Sequence, residues 1–140
     1  MQAHQATTVD VSGRAVLIEG QPGTGKSSLA LALIDRGARL IGDDSVMLEA
    51  RDRRLFASPH PETRGLIEVR NLGLLEMPVS EGAPVALILR LDRQAPRFIE
   101  QAEATDRLGI ALPLIALWPD APVLALRAEL ALDRYGLVAS

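Results

Sequence analysis

Cysteine is absent from the 140 residues, so neither a disulfide nor a thiolate metal site can form, which fits a protein of the reducing cytoplasm. Aromatic residues are scarce: with one Trp, one Tyr and two Phe, a core has to be built from Leu, Ala, Val and Ile. Long apolar runs are missing as well. Residues 85–89 and 110–118 are too short, or too interrupted by Pro113, to span a bilayer. The first five residues carry neither the basic start nor the apolar run of a secretion signal. A net charge of −3 leaves no basic stripe, which argues against nucleic acid as the main partner. Lysine is nearly absent. Of the 15 basic residues only Lys26 is a lysine, and the rest are arginines.

What is present is an ordinary balance, 48% hydrophobic and 24% charged, of a length that suits one domain over residues 1–140. Residues 1–6 read as a flexible tail, and no internal repeat or low-complexity tract interrupts the chain. The lone lysine stands in the stretch around which everything else is arranged. Gly20-Gln21-Pro22-Gly23-Thr24-Gly25-Lys26-Ser27 fits the phosphate-loop pattern G-x-x-x-x-G-K-[ST] at every defined position. Residues 15–19 read as a buried strand entering the loop, and residues 28–36 as a helix leaving it. Glycines at 20, 23 and 25 let the backbone wrap with its N–H groups inward, and the helix N-terminus adds roughly half a positive charge behind that nest. Lys26 is placed to reach the β- and γ-phosphates of a nucleotide and the Ser27 hydroxyl to ligate Mg2+. A compact ammonium fits such a loop where a planar guanidinium does not, which accounts for a lysine at this one position.

The rest of the chain reads as strand-rich α/β. Residues 7–11 and 15–19 form a hairpin through Ser12-Gly13-Arg14, and the helix stops at Gly37. Residues 39–42 form a strand expected beside the phosphate-loop strand and ending at Asp43-Asp44. Residues 46–50 and 55–57 flank a charged hairpin tip, and 58–62 is a proline-broken loop. Strands are expected at 85–91 and 112–117, mixed helical character at 95–106, and a helix at 123–135 with apolar residues at Val123, Leu126, Leu130 and Leu137. Trp118 is expected to pack in the core. This strand content exceeds that of alternating βαβ units, so a standard doubly wound sheet is not expected.

Asp43-Asp44 lies where nucleotide enzymes place carboxylates that hold Mg2+ and accept a proton from an attacking hydroxyl, although a strand-end turn explains an Asp pair equally well. Glu68 and Arg70 alternate with Ile67 and Val69, the pattern of a half-exposed strand. In sequence order, the phosphate loop is followed by Arg36-Gly37-Ala38-Arg39-Leu40-Ile41-Gly42-Asp43-Asp44, by Glu68-Val69-Arg70-Asn71-Leu72-Gly73, and by Asp106-Arg107-Leu108-Gly109. Together these resemble the catalytic domain of the HPr serine kinase/phosphorylase family over residues 11–135, in the short form without the amino-terminal domain of longer members.

The resemblance implies a single phosphate-loop α/β domain acting as an ATP- and Mg2+-dependent protein serine kinase on HPr, the phosphocarrier of sugar uptake, with hexameric assembly. It implies that residues 20–27 bind ATP with Ser27 on the metal, and that Asp44 accepts the serine proton. Asp43 then supports the metal or orients Asp44, Glu68 is a second Mg2+-side carboxylate, Arg70 is the signature arginine, and Arg107 lies near the transferring phosphoryl group. His4 is the candidate for the histidine preceding the family's loop, one residue out of register. Other departures are Asn71 in place of a signature glycine, Ser28 in place of a glutamate, and Trp118-Pro119-Asp120-Ala121-Pro122 in place of a basic glycine-rich loop tied to dephosphorylation. An aspartate there repels inorganic phosphate, which favours kinase over phosphorylase activity. Two other readings stay open: a small-molecule kinase on the same loop, and a nucleotide-binding sensor without transfer activity.

Overall fold

The computed structural model describes residues 1–138. In chain order the strands before the glycine loop are β1 (Gln2–His4), β2 (Thr7–Val11) and β3 (Arg14–Gly20). The helix α1 (Lys26–Asp35) leaves the loop and is followed by β4 (Arg39–Gly42), β5 (Val46–Arg51), β6 (Arg54–Pro59), β7 (Leu66–Val69) and β8 (Gly73–Glu76). The chain then runs through β9 (Ala83–Leu91), β10 (Glu103–Arg107), β11 (Ile110–Leu117) and α2 (Leu124–Tyr135).

The centre follows from the two longest apolar stretches. In β3, Val16 and Ile18 bury against one apolar cluster while Ala15 and Leu17 bury against another, so both faces of the strand are covered. In β9, Leu87 and Leu89 join the first cluster and Val85 and Ile88 the second. Such strands can only be central, and β3 pairs with β9 in parallel. Each fully buried leucine of this kind contributes about 1.5–3 kcal/mol. One face is covered by Leu29, Leu33 and Ala30 of α1 with Ala128, Ala131 and Leu132 of α2; the other is covered by Val46, Leu48, Leu55 and Ala57 of the β5–β6 hairpin.

The sheet order is β1-β5-β6-β9-β3-β2-β4, with β11 also parallel to β9 and β10 antiparallel to β11; β7 and β8 form a separate pair. It is a mixed α/β fold, strand-rich with two helices among the described residues, as expected. One neighbour differs from expectation. β4 lies on β2, not on β3. Because both pairings are antiparallel, β3 and β4 still run the same way, and their carboxyl ends bring Gly20 and Asp43 to the same edge.

Further differences have local causes. Residues 2–4, read as a tail, form β1 along the outer edge of β5, with Ala3 opposite Met47. The segment read as helical around 95–106 is irregular and ends in β10, whose exposed strand pairs along the edge of β11. Trp118 is 42% exposed, its indole N–H donating to Ala95 O at 2.6 Å. Leu126 and Leu130 of α2, with Val123 just before it, face solvent, while Ala128, Ala131 and Leu132 face the sheet. α1 ends as Gly37 suggests: at φ 112 it lets Ala38 N reach Leu33 O and Gly37 N reach Ile34 O, a Schellman closure.

Candidate functional site

The glycine loop leaves the buried β3 at Gly20, where a Cβ would lie 2.9 Å from both Leu91 O and Thr24 Oγ1; only glycine fits. Thr24, itself buried, closes the loop by donating its hydroxyl to Gln21 O at 2.8 Å. Gly25 caps α1 at φ 95 with no side-chain cap, and no acidic residue stands in the first turn, so the amino-terminal amides of α1 have no competing anion of their own helix. Lys26 folds back over the loop, its ammonium donating to Gly20 O at 3.0 Å and Gln21 O at 3.2 Å. A cleft of about 350 Å3 opens beside it, lined from the loop side by Pro22, Gly23, Gly25, Lys26, Ser27 and Ser28, and from the opposite side by Gln5, Thr7, Asp43, Asp44, Glu68 and Arg70. Four segments that are remote in sequence thus meet at one place.

Asp43 is the knot of that meeting. Its Oδ1 accepts from Ser27 Oγ at 2.5 Å and from Thr7 Oγ1 at 3.1 Å, and its Oδ2 accepts from the Glu68 backbone N–H at 2.9 Å. A carboxylate held by three donors is fixed in place. Asp44 next to it is exposed, takes φ 66, and receives the Gln5 side-chain amide on Oδ1 at 3.4 Å. Glu68 projects from the exposed side of β7, while Ile67 beside it is fully buried, as the alternation predicts. Asn71 takes φ 74 in the β7–β8 turn, the left-handed conformation that a glycine would supply and that asparagine tolerates best among the other residues. The substitution at 71 therefore leaves the turn intact.

Five of the expected site residues do not line the cleft: Gly20, Gln21 and Thr24 border a neighbouring cavity together with Glu19, and His4 and Arg107 are held elsewhere. His4 donates to Glu19 Oε2 at 2.8 Å, and Arg107 grips the same carboxylate, Nη2 to Oε1 at 2.6 Å and Nε to Oε2 at 3.3 Å. The reason for His4 is its register: it is paired in β1, while Gln5, one residue on, lines the cleft in its stead. Arg107 is drawn away by Glu19, the last residue before Gly20, whose role the sequence alone does not suggest. Gln5 and Thr7 were equally invisible; the one available signal is that positions 5 and 7 share a parity that 4 does not.

The Glu19 cluster has its own signature. Burial by itself pushes this carboxyl upward, but the hydrogen bonds from His4 and Arg107, with their charge, outweigh it and hold Glu19 below the usual carboxylate range. A depressed carboxylate stabilises the fold above its unfolded-state value, and that contribution fades as pH falls through the lower folded value. In unfolding titrations the wild type is therefore expected to lose stability below about pH 4.5, while Glu19→Gln shows a flatter curve there. Parallel curves would show that the cluster does not hold in solution.

This geometry has known counterparts. The family model for the HPr Serine kinase C-terminal domain matches residues 1–112. An HPr kinase/phosphorylase of Clostridium botulinum (strain Eklund 17B / Type B) is 48% identical over 109 residues, and one of Clostridium tetani 37% over 109, each match covering 73% of this chain and 34% of the relative. The chain thus spans about a third of the length of these curated relatives. Among solved structures, the HPr(Ser) kinase/phosphatase of Coxiella burnetii superposes with a TM-score of 0.84 at 27% identity, covering 95% of both chains. No helix among the described residues is long and apolar enough to cross a membrane. With the family model matched over residues 1–112 and these relatives alongside it, the chain belongs to the HPr serine kinase C-terminal domain family.

Proposed function

We propose that the protein is an ATP- and Mg2+-dependent protein serine kinase acting on HPr in the cytoplasm, where it regulates carbohydrate uptake and metabolism. The observation that carries this reading is the convergence of Lys26, Ser27, Asp43 and Asp44 on one cleft. The loop amides of residues 20–27 and the Lys26 ammonium hold the phosphates of ATP. Ser27, Asp43 and Glu68 offer hard oxygen donors, the set Mg2+ takes together with substrate phosphates and waters. Mg2+ held by these residues would supply positive charge to offset that of the phosphates. Asp44 accepts the proton of the acceptor serine; the serine oxygen bonds the γ-phosphorus as the bond to the β–γ bridging oxygen breaks, releasing ADP.

Arg70, which lines the cleft, takes the charge-stabilising role that the sequence resemblance gave to Arg107. Arg107 with His4 instead anchors Glu19 at the root of the loop. Hexameric assembly follows from the family resemblance, and the exposed apolar stripe of α2 is a face that assembly would cover.

The reverse reaction needs inorganic phosphate bound against the seryl-phosphate. The turn at 118–122 offers it Asp120, which is paired to Arg93 at 3.3 Å, and none of that turn lines the cleft. Incubation with labelled ATP, Mg2+ and purified HPr is expected to label a serine, and a chase with inorganic phosphate to leave the label in place. Removal of label in the chase would establish phosphorylase activity. ATP binding without transfer would favour the sensor reading.

A further inference from the structure

Thr7 sits at the foot of the cleft with 1% of its surface exposed. The strand around it is irregular. In the pairing of β2 with β4, Thr8 is opposite Gly42 and Val9 opposite Leu40, so Ile41 is the extra residue of a bulge. The chain leaves the bulge through Gly42, where a Cβ would lie 2.4 Å from Ser45 O, and then through Asp44 at φ 66. Aspartate is among the few non-glycine residues that enter this region readily, and a fixed hydrogen-bond partner favours it there.

Thr7 is what holds it. The Asp44 N–H donates to Thr7 Oγ1 at 3.2 Å, and Thr7 Oγ1 donates to Asp43 Oδ1 at 3.1 Å. A backbone amide can only donate, so the hydroxyl accepts from Asp44 and has its own proton free for the Asp43 carboxylate. One side chain therefore fixes the backbone of one aspartate and the carboxylate of the other, in a defined polarity. The neighbouring Thr8 is a built-in contrast: its hydroxyl is buried and has no hydrogen-bond partner.

We propose that Thr7 is a positioning residue of the phosphotransfer site, whose hydroxyl locks Asp43 against Ser27 and holds Asp44 in its left-handed conformation. This rests on the kinase reading given above. Thr7 acts through the two aspartates, by setting where the metal-side carboxylate stands and where the proton-accepting carboxylate points.

The test compares Thr7→Val, which keeps the shape and deletes the hydroxyl, with Thr7→Ser, which keeps the hydroxyl, and with Thr8→Val as control. ADP binding is titrated against Mg2+ for each, alongside transfer to HPr and the thermal midpoint. Thr7→Val is expected to raise the Mg2+ concentration for half-maximal ADP binding roughly ten- to a hundred-fold, the usual effect of losing a partner that orients a metal-side ligand. Its kcat falls by a similar factor with KM for HPr unchanged, Thr7→Ser recovers most of both, and Thr8→Val matches the wild type. Should Thr7→Val fold poorly, Thr7→Ala carries the same deletion with less steric demand.

Wild-type Mg2+ dependence and transfer in the valine variant would overturn the proposal, as would a serine variant no better than valine. Failure of both the valine and alanine variants to fold would assign the hydroxyl to stability alone and overturn it too. If the wild type binds Mg2+-ADP but transfers nothing to HPr, the kinase reading falls, and the Mg2+ titration still decides the role of Thr7.

Discussion

Replacing Asp44 by asparagine is expected to lower transfer to the acceptor serine roughly a hundred- to ten-thousand-fold, the range for removing a general base, while leaving ATP binding near that of the wild type. The structure makes this substitution unusually clean. Asp44 stands at φ 66, and asparagine tolerates the left-handed region as well as any residue but glycine, so the turn keeps its shape. The Asp44 N–H keeps its bond to Thr7 Oγ1, because that bond belongs to the backbone. Among its side-chain bonds, only that with the Gln5 amide at 3.4 Å is disturbed, and an asparagine oxygen can accept it as well. What disappears is the capacity to take a proton. Alanine at 44 would confound the same loss with backbone strain. Single-turnover transfer and equilibrium nucleotide binding, measured on the same preparation, separate the two steps. Unreduced transfer by Asp44→Asn would remove Asp44 from the chemistry; lost binding would mean that its charge serves the nucleotide.

The parts of this site that could be read from the sequence are those that depend on neighbours along the chain. The loop is such a part: three glycines, a lysine and a serine at fixed spacing between an apolar strand and a helix specify it locally, and α1 and its Gly37 stop follow by the same logic. Glu68 was legible as an exposed position on a half-exposed strand. What could not be read is what the topology brings from a distance. Asp43 sits 16 residues from Ser27, 36 from Thr7 and 25 from Glu68, and only the sheet order makes them partners. β4 reaches the loop edge across β2, through two antiparallel pairings, which no spacing in the sequence announces. His4 shows how little error is tolerated: a single step along the chain is the difference between lining the cleft, as Gln5 does, and pairing with Glu19. The helix α2 was legible from its apolar period, but which face it buries was not: Leu126 and Leu130, with Val123 just before the helix, are exposed, while Ala128, Ala131 and Leu132 are buried against the sheet.

The arrangement separates two kinds of positive charge around the loop, and this bears on the lone lysine. Arg107 is committed to Glu19 through both ends of its guanidinium, where a planar fork meets a carboxylate side by side. Lys26 has a different task. Its ammonium holds Gly20 O and Gln21 O at 3.0 and 3.2 Å, and a third proton remains for a phosphate oxygen, so one group closes the loop and grips the ligand together. A guanidinium spreads its donors over a rigid plane and cannot converge on two successive carbonyls of a tight loop while also facing the phosphates. Lys26→Met is therefore expected to weaken ATP binding by about 1.5–3 kcal/mol, the value of a hydrogen bond to a charged group, or roughly ten- to 150-fold. Lys26→Arg, although it restores the charge, is expected to recover little of this, with the thermal midpoint of both variants close to that of the wild type. The two substitutions divide the explanations between them. Recovery of binding by arginine would show that charge alone matters and that the shape of the loop is tolerant; failure of arginine with the fold intact would show that the loop selects for a compact cation, which is the physical reason a chain so rich in arginine keeps its one lysine here.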